Sequence, residues 1–208
     1  MLIKASAITS LTDARYFAAR EVDFLGFNLE ENTEGYLDPM YMKAIREWVE
    51  GPQIVGEFTA APLSYVREAA AFFGLDAVQV PAALHGADLT ALAGLTVIAA
   101  LEGGDPEIDR LLQETGPHVQ YFLIDISKIV EPATGALPDL ERWKERCTAY
   151  PVLIHADLTA DQWPNLLNAL QPAGLNLAGG EEERVGVKSF DEIEAIFEAI
   201  DLMMNDER

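Results

Sequence analysis

The sequence predicts an α/β protein, a single compact (β/α)8 (TIM) barrel spanning residues 1–208, with a loose tail from about residue 203. Three observations indicate this fold. Short apolar runs alternate with amphipathic helical segments about eight times along the chain. The 208 residues divided by eight leave 26 per unit, close to the minimum for a strand, a helix and two loops. No linker or low-complexity segment interrupts the alternation, so one domain is expected.

Eight segments have the continuous apolar character of strands that are buried on both faces. They cover residues 2–5, 24–28, 54–58, 77–80, 95–101, 119–124, 152–154 and 175–178. The intervening segments 41–49 and 190–200 carry apolar residues at spacings of three and four, as amphipathic helices do. Asp38 and Asp105 each precede a proline, which predicts two helix starts. A doubly wound open sheet has a similar alternation and remains the structural alternative.

Composition excludes several classes of function. A net charge of −21 with only 14 Lys and Arg argues against binding to nucleic acid or to anionic membranes. The sequence has no apolar stretch of membrane-spanning length and no secretory signal, so we expect a cytoplasmic protein. The single cysteine, Cys147, lacks metal-site spacing, and no cofactor motif is present. We therefore expect no metal and no cofactor, while a small-molecule ligand, a homodimer and a partner protein stay open.

Several segments resemble one known family. They are KASAITS at residues 4–10, DA at 13–14, FLGF at 24–27, GLDAVQ at 74–79, TG at 134–135 and GVK at 186–188. In these segments the chain is similar to phosphoribosylanthranilate isomerase, the tryptophan-pathway barrel. The resemblance runs nearly end to end and also implies the (β/α)8 barrel. It further implies an Amadori rearrangement without a cofactor, in which the furanose ring opens and a proton shifts at the sugar's second carbon.

Both proton-transfer positions implied by the resemblance are substituted. The family's base is a cysteine in a Lys-x-Cys-Gly-Ile-Thr pattern, where this chain has Ser6. The implied acid is an aspartate on the eighth strand, where this chain has Asn176. A serine hydroxyl is far less acidic than a tuned thiol, and an amide cannot deliver a proton. We therefore predict that the isomerase reaction is lost or nearly lost and that the protein is a binding or scaffold barrel.

The ligand contacts implied by the resemblance are altered as well. Gly35 stands where the family has an arginine near the anthranilate carboxylate. The phosphate-binding glycine pair after strand seven is replaced by Ala156 and Asp157, and a carboxylate repels phosphate. Gly179 and Gly180 still offer an amide nest after strand eight.

One stretch of the resemblance has two alignments. Gln79 matches the start of the family's Gln-Leu-His-Gly pattern. The histidine of that pattern falls either on Pro81 or, after a short insertion, on His85. His85 is a weak site candidate, because an isolated histidine is more often an ordinary loop residue.

Other groups near the strand ends offer two alternative functions. Asp125 or Asp157 could replace the missing carboxylate in an active isomerase, assisted by His155 and by Lys4, which shares the inner side with Ser6. The same groups could serve a barrel enzyme for a non-phosphorylated substrate. The structural interpretation, which we favour, pairs Lys4 with Asp125 in a buried ion pair, and makes His155 a satisfied rim residue and Asp157 a helix-start acceptor.

Overall fold

A computed structural model of the chain describes residues 1–84, 86–179, 182–184 and 187–206. Its centre is a closed barrel of eight parallel strands that are paired in sequence order. The strands are β1 (Leu2–Ser6), β2 (Phe24–Asn28), β3 (Gln53–Glu57), β4 (Ala77–Pro81), β5 (Thr96–Glu102), β6 (Tyr121–Asp125), β7 (Val152–His155) and β8 (Gly174–Ala178). Because β1 pairs with β8 along its full length, the sheet has no open edge. The predicted (β/α)8 barrel is confirmed, and the open-sheet alternative is wrong.

Helices follow the strands and cover the outside of the barrel. They are α1 (Leu11–Ala19), α2 (Pro39–Arg46), α3 (Leu63–Phe73), α4 (Gly86–Leu89), α5 (Ile108–Thr115), α6 (Leu140–Ala149), α7 (Trp163–Leu170) and α8 (Asp191–Asp206). Short 3-10 turns at Thr90–Leu92 and Gly116–His118 supplement α4 and α5. A small antiparallel hairpin, β9 (Glu182–Arg184) and β10 (Val187–Lys188), lies between β8 and α8. Within the described ranges, no helix is long and apolar enough to cross a membrane.

The two predicted helix starts have different outcomes. Asp38 is the N-cap of α2, and its Oδ1 accepts a hydrogen bond from the N–H of Met40 at 2.9 Å. Asp105 accepts from the N–H of Glu107 at 2.8 Å, but α5 begins only at Ile108. The carboxylate of Asp105 therefore closes a turn before the helix instead of capping its first residue.

The last helix is longer than the sequence suggested. It continues to Asp206, past residue 203, where we expected a loose tail. Its apolar stripe explains the difference, because Ile193, Ile196, Phe197 and Ile200 are all buried in the core that surrounds the barrel. Four buried residues spaced along one face hold the helix against the strands.

The interior of the barrel is apolar at its amino-terminal end. A separate small cluster of buried side chains fills it, drawn from five strands: Phe24, Val55, Ala77, Ile98 and Leu123. Leu2 and Tyr121 pack against this cluster. Candidate ligand-binding groups are therefore sought at the opposite, carboxyl-terminal end, where the loops that follow the strands meet.

A buried glutamate ties the loop after β2 to the loop after β3. The Glu30 carboxylate accepts hydrogen bonds from the N–H groups of Thr59 and Ala60 at 2.6 and 3.0 Å and from the Thr59 hydroxyl at 3.0 Å. Burial opposes ionisation of Glu30, but these donors outweigh burial and lower the pKa of the carboxyl below 4.5. The ionised carboxylate is therefore part of the folded state at neutral pH.

This contact predicts a pH-dependent contribution to stability. Because the pKa of Glu30 is lower in the folded than in the unfolded chain, the stabilisation is present above pH 4.5 and is lost as the pH falls through the folded-state pKa. The free energy of unfolding of the wild type should exceed that of Glu30→Gln by more at pH 6 than at pH 3, measured by urea unfolding. Glu31→Gln, the same charge change at the exposed neighbour, is the control. An equal difference at both pH values would contradict this assignment.

Candidate active site

Four predicted site residues lie side by side on neighbouring strands at the carboxyl-terminal end of the barrel. Asp125 of β6 is in register with His155 of β7, His155 with Asn176 of β8, and Asn176 with Lys4 of β1. Paired residues of a parallel sheet point to the same side, and inside the barrel Asn176 contacts both Lys4 and His155. These four residues form what we call the polar belt. The structure thus brings together side chains that are up to 172 positions apart in sequence.

Lys4 is the centre of the site. Its side chain is 0% exposed, and its Nζ lies 2.5 Å from Oε1 of Glu57 and 3.3 Å from Oδ1 of Asn176. The Nζ also donates to the Ser6 hydroxyl. Burial lowers the pKa of the Lys4 amino group from 10.5, and the charge of Glu57 acts in the opposite direction. A fully buried ammonium group needs such partners, because an unpaired buried charge is strongly destabilising.

The predicted ion pair between Lys4 and Asp125 is wrong. Lys4 pairs with Glu57 instead, while Oδ1 of Asp125 accepts from the N–H of Ser127 at 2.9 Å. The reason lies on the strand between β1 and β3. A Cβ atom on Gly26 of β2 would overlap the Glu57 carboxylate and lie 2.9 Å from the Lys4 Nζ. Because Gly26 has no side chain, Lys4 and Glu57 reach each other across β2.

Ser6 and Asn176, the two substituted positions, contact each other directly. The Ser6 hydroxyl donates to Oδ1 of Asn176 at 2.6 Å. Neither group ionises near neutral pH, so this pair supplies neither a base nor an acid. The two residues orient the Lys4 ammonium, which touches both of them.

His155 is anchored by Asn176. Its Nδ1 lies 3.0 Å from the backbone oxygen of Asn176 and 3.2 Å from Nδ2 of the same residue. The first contact fits a ring with the proton on Nδ1, whereas the second fits a ring in which Nδ1 accepts. In either tautomer Nδ1 is engaged, and within the described chain Nε2 makes no hydrogen bond. The predicted rim position of His155 agrees with this arrangement.

A cleft of about 830 Å³ opens beside the polar belt, between the ends of β7 and β8 and the start of α8. His155 and Asn176 form part of its wall, and three carboxylates, from Asp157, Asp161 and Glu192, line it as well. Among the residues whose side chains the structure describes, no lysine or arginine lines it. The cleft is therefore negatively charged, which is unfavourable for a phosphate group.

Asp157 was interpreted above as a helix-start acceptor, and its position in the structure does not agree with that role. It is exposed in the loop after β7, six positions before α7 begins at Trp163. The residue that precedes α7 is Gln162, whose side chain makes no capping hydrogen bond. Asp157 is consequently not a helix-start acceptor, because the loop places it at the cleft and away from the helix.

The remaining predicted ligand positions are dispersed. Ala156 and Gly179 line the cleft. The N–H of Gly179 donates to the backbone oxygen of Ser6, so this N–H is not free for an anion. Gly35 is exposed in the loop after β2, with no atom within 4 Å of the position of an added Cβ. Gln79 lies on β4, in register with Glu57, and its buried Oε1 has no hydrogen-bond partner within the described ranges. Pro81 is the last residue of β4.

Two candidates, His85 and Gly180, lie outside the described residues. Among the residues that are described, no group of three or more His, Cys, Asp or Glu side chains could hold a metal ion.

Sequence reasoning missed Glu57. A signal was present, because Glu57 is the one charged residue within the predicted strand 54–58 and stands near its carboxyl end, at the barrel rim. Its side chain is 11% exposed, and its Oε2 accepts from the N–H of Ala7 at 3.1 Å. Glu57 is thus the one carboxylate in direct contact with Lys4 within the described part of the chain.

Comparison with known proteins places this site in context. The sequence profile described as "PRAI: N-(5'phosphoribosyl)anthranilate (PRA) isomerase" matches residues 3–199. N-(5'-phosphoribosyl)anthranilate isomerase of Maridesulfovibrio salexigens is 26% identical over 208 residues, covering 96% of this chain and 98% of the relative. The protein of the same name from a Synechococcus strain is 28% identical over 217 residues, covering 96% and 90%.

Solved structures agree with the sequence comparison. Phosphoribosyl anthranilate isomerase from Thermus thermophilus superimposes with a TM-score of 0.76 at 26% identity, covering 98% of this chain and 100% of that one. A further isomerase structure, in complex with reduced 1-(o-carboxyphenylamino)-1-deoxyribulose 5-phosphate, has a TM-score of 0.76 at 19% identity and coverages of 97% and 98%. The profile match over nearly the whole length is decisive. This chain belongs to the N-(5'-phosphoribosyl)anthranilate isomerase family.

Proposed function

We propose that this protein is an active isomerase of its family's reaction type. The reaction opens the furanose ring of a ribosylated amine and shifts a proton at the sugar's second carbon. The observation that supports the proposal most is the polar belt. It keeps ionisable groups, Asp125, His155 and Lys4, in one layer at the end of the barrel where catalytic groups of such barrels lie. Curated relatives that match this chain nearly end to end carry the isomerase name.

Of the two substitute carboxylates, Asp125 fits the role of proton donor better. It lies on a strand, in register with His155, and its Oδ1 is held by the N–H of Ser127 at 2.9 Å. A rigid strand end positions a catalytic group more accurately than a loop does. Asp157 is exposed in the loop after β7 and is better placed to contact a ligand in the cleft. We assign the acid role to Asp125 and a ligand-contacting role to Asp157.

A second candidate function is binding or scaffolding after loss of the reaction. The hydrogen bond between Ser6 and Asn176 favours it, since both proton-transfer positions are occupied by groups that do not ionise near neutral pH. Exposed apolar side chains on the α2 and α3 side, from Met40, Trp48 and Phe72, also fit a surface for a second copy or a partner protein. This candidate predicts no isomerisation and no binding of the family's ligand.

The third candidate is an enzyme for a non-phosphorylated substrate. The carboxylates of Asp157, Asp161 and Glu192 in the cleft support it, because they repel a phosphate dianion. This candidate predicts that the protein ignores phosphorylated ligands while its cleft binds another compound.

Two measurements on the purified protein distinguish the three candidates. The first is conversion of phosphoribosylanthranilate, followed by chromatography, and the second is calorimetric titration with the reduced carboxyphenylamino deoxyribulose phosphate. An active isomerase should bind this ligand with Kd in the micromolar range, about −8 kcal/mol. Asp125→Asn should then lower kcat by about 10²- to 10⁴-fold, the usual contribution of a proton donor or acceptor. No conversion, together with no heat at millimolar ligand, would overturn the proposal.

A further inference from the structure

None of the family positions discussed above accounts for Glu57, a carboxylate on the rim of the barrel. Glu57 ends β3, and its carboxylate is held from two sides, by the Lys4 Nζ at 2.5 Å and by the N–H of Ala7 at 3.1 Å. Its side chain is 11% exposed, so the carboxylate is nearly buried but keeps some contact with solvent. Lys4 also contacts Ser6, which places Glu57 next to the position of the family's base.

The backbone around Glu57 is shaped to hold it there. Gly26 leaves the space that the Glu57 carboxylate and the Lys4 Nζ occupy. Ala7 has a φ of 55°, a left-handed conformation that costs a non-glycine residue roughly 1 kcal/mol or more. This conformation accompanies the hydrogen bond from the Ala7 N–H to Oε2 of Glu57. Strained residues of this kind concentrate at functional sites, because the surrounding structure must compensate for them.

We propose that Glu57 is the base of the isomerisation, replacing the thiolate that Ser6 cannot supply, and that Lys4 is its positioning residue. The proposal rests on the proposed function. In the step, the ring oxygen takes a proton from the acid as its bond to the first sugar carbon breaks, and the amine nitrogen's electron pair forms an iminium. Glu57 then accepts the proton of the second carbon. The C–H electrons form a double bond between the first and second carbons and neutralise the iminium. The hydroxyl of the resulting enol then loses its proton to solvent, the first carbon takes up a proton, and the ketone forms.

Other groups of the site are less suited to this role. The Ser6 hydroxyl and the Asn176 amide do not ionise near neutral pH. Asp125 lies on the other side of Asn176 and His155 in the polar belt, separated from Lys4 by two strands. A carboxylate base on the rim of a barrel is a sound chemical choice, since carboxylates abstract protons next to carbonyl groups in other isomerases of sugar phosphates.

The test compares Glu57→Gln, Glu57→Asp and the wild type in turnover of phosphoribosylanthranilate and in binding of the reduced product analogue. We expect Glu57→Gln to lower kcat by about 10²- to 10⁴-fold, while the Kd of the analogue changes by less than about threefold. Glu57→Asp keeps a carboxylate and should recover part of the lost turnover. The control is Glu68→Gln, the same change of charge at an exposed position of α3, which should match the wild type.

Loss of folding is separated from loss of the base by a double variant. Lys4→Met combined with Glu57→Gln removes the carboxylate without leaving an unpaired buried charge. It should bind the analogue and show the same loss of turnover. If the wild type is active and the kcat of Glu57→Gln or of the double variant lies within threefold of the wild-type value, the inference is overturned and the proposed function stands. A wild type without turnover would overturn both.

Discussion

The free energy of unfolding of a Lys4→Met variant should be about 3–5 kcal/mol lower than that of the wild type. This is the range measured when one partner of a buried ion pair is removed. The effect is large because Lys4 is fully buried, and because its ammonium group satisfies Glu57, Ser6 and Asn176 at once. Methionine has a similar length, so packing is largely kept, while Glu57, Ser6 and Asn176 each lose one of their hydrogen-bond partners. For a chain of this size, the melting temperature should fall by roughly 6–20 °C.

The double variant Lys4→Met with Glu57→Gln is the matched control for stability. It removes both charges, and pairs replaced by neutral groups of similar volume are often as stable as the original pair. We expect it to recover most of the stability lost in Lys4→Met, as measured by chemical unfolding at neutral pH. A double variant as unstable as the single one would show that Lys4 stabilises the barrel through its hydrogen bonds to Ser6 and Asn176 and not through its ion pair with Glu57.

Trp163→Ala should lower the free energy of unfolding by about 3–5 kcal/mol, the cost usually found for a buried aromatic residue that is truncated to alanine. Trp163 is 0% exposed at the start of α7 and belongs to the core between the strands and the helices. Its loss removes packing on the wall of the cleft, which it also lines. Thermal and urea unfolding measure the effect.

Trp48 provides the control for the same substitution. It is 70% exposed just after α2, so Trp48→Ala should change the free energy of unfolding by no more than about 0.5 kcal/mol. Trp163→Phe should cost less than Trp163→Ala, because most of the ring volume remains and the indole Nε1 has no acceptor within the described ranges. Equal losses at positions 48 and 163 would contradict the burial of Trp163 in this fold.

Strands and helices were predictable because their signals are local. A strand buried on both faces is continuously apolar, and an amphipathic helix has apolar residues at spacings of three and four. The predicted strand boundaries differ from the observed ones by no more than about two residues, the usual precision of such reasoning. The loose tail from about residue 203 stays a prediction, because α8 continues to Asp206 while Leu202 and Met204, beyond the buried stripe that ends at Ile200, are exposed.

The polar belt was predictable in part. Asp125 and His155 were identified because each ends a strand, and Ser6 and Asn176 because the family resemblance places its base and its acid there. The closure of the barrel brings these strands together. Their partners were not predictable by the same reasoning. Strand periodicity gives the side of the sheet on which a residue lies, but the identity of its contacts depends on the register between strands and on the space that intervening residues leave.

The sequence by itself thus determined the eight-stranded barrel, the family and some of the residues of its rim, since these follow from periodicity and from matched segments. Tertiary structure alone decided that Lys4 pairs with Glu57 and not with Asp125, and that Asp157 lies at the cleft and not at a helix start. The physical reason for the pairing of Lys4 with Glu57 is Gly26, which lies on the strand between theirs. Because Gly26 has no side chain, the two charged groups can meet.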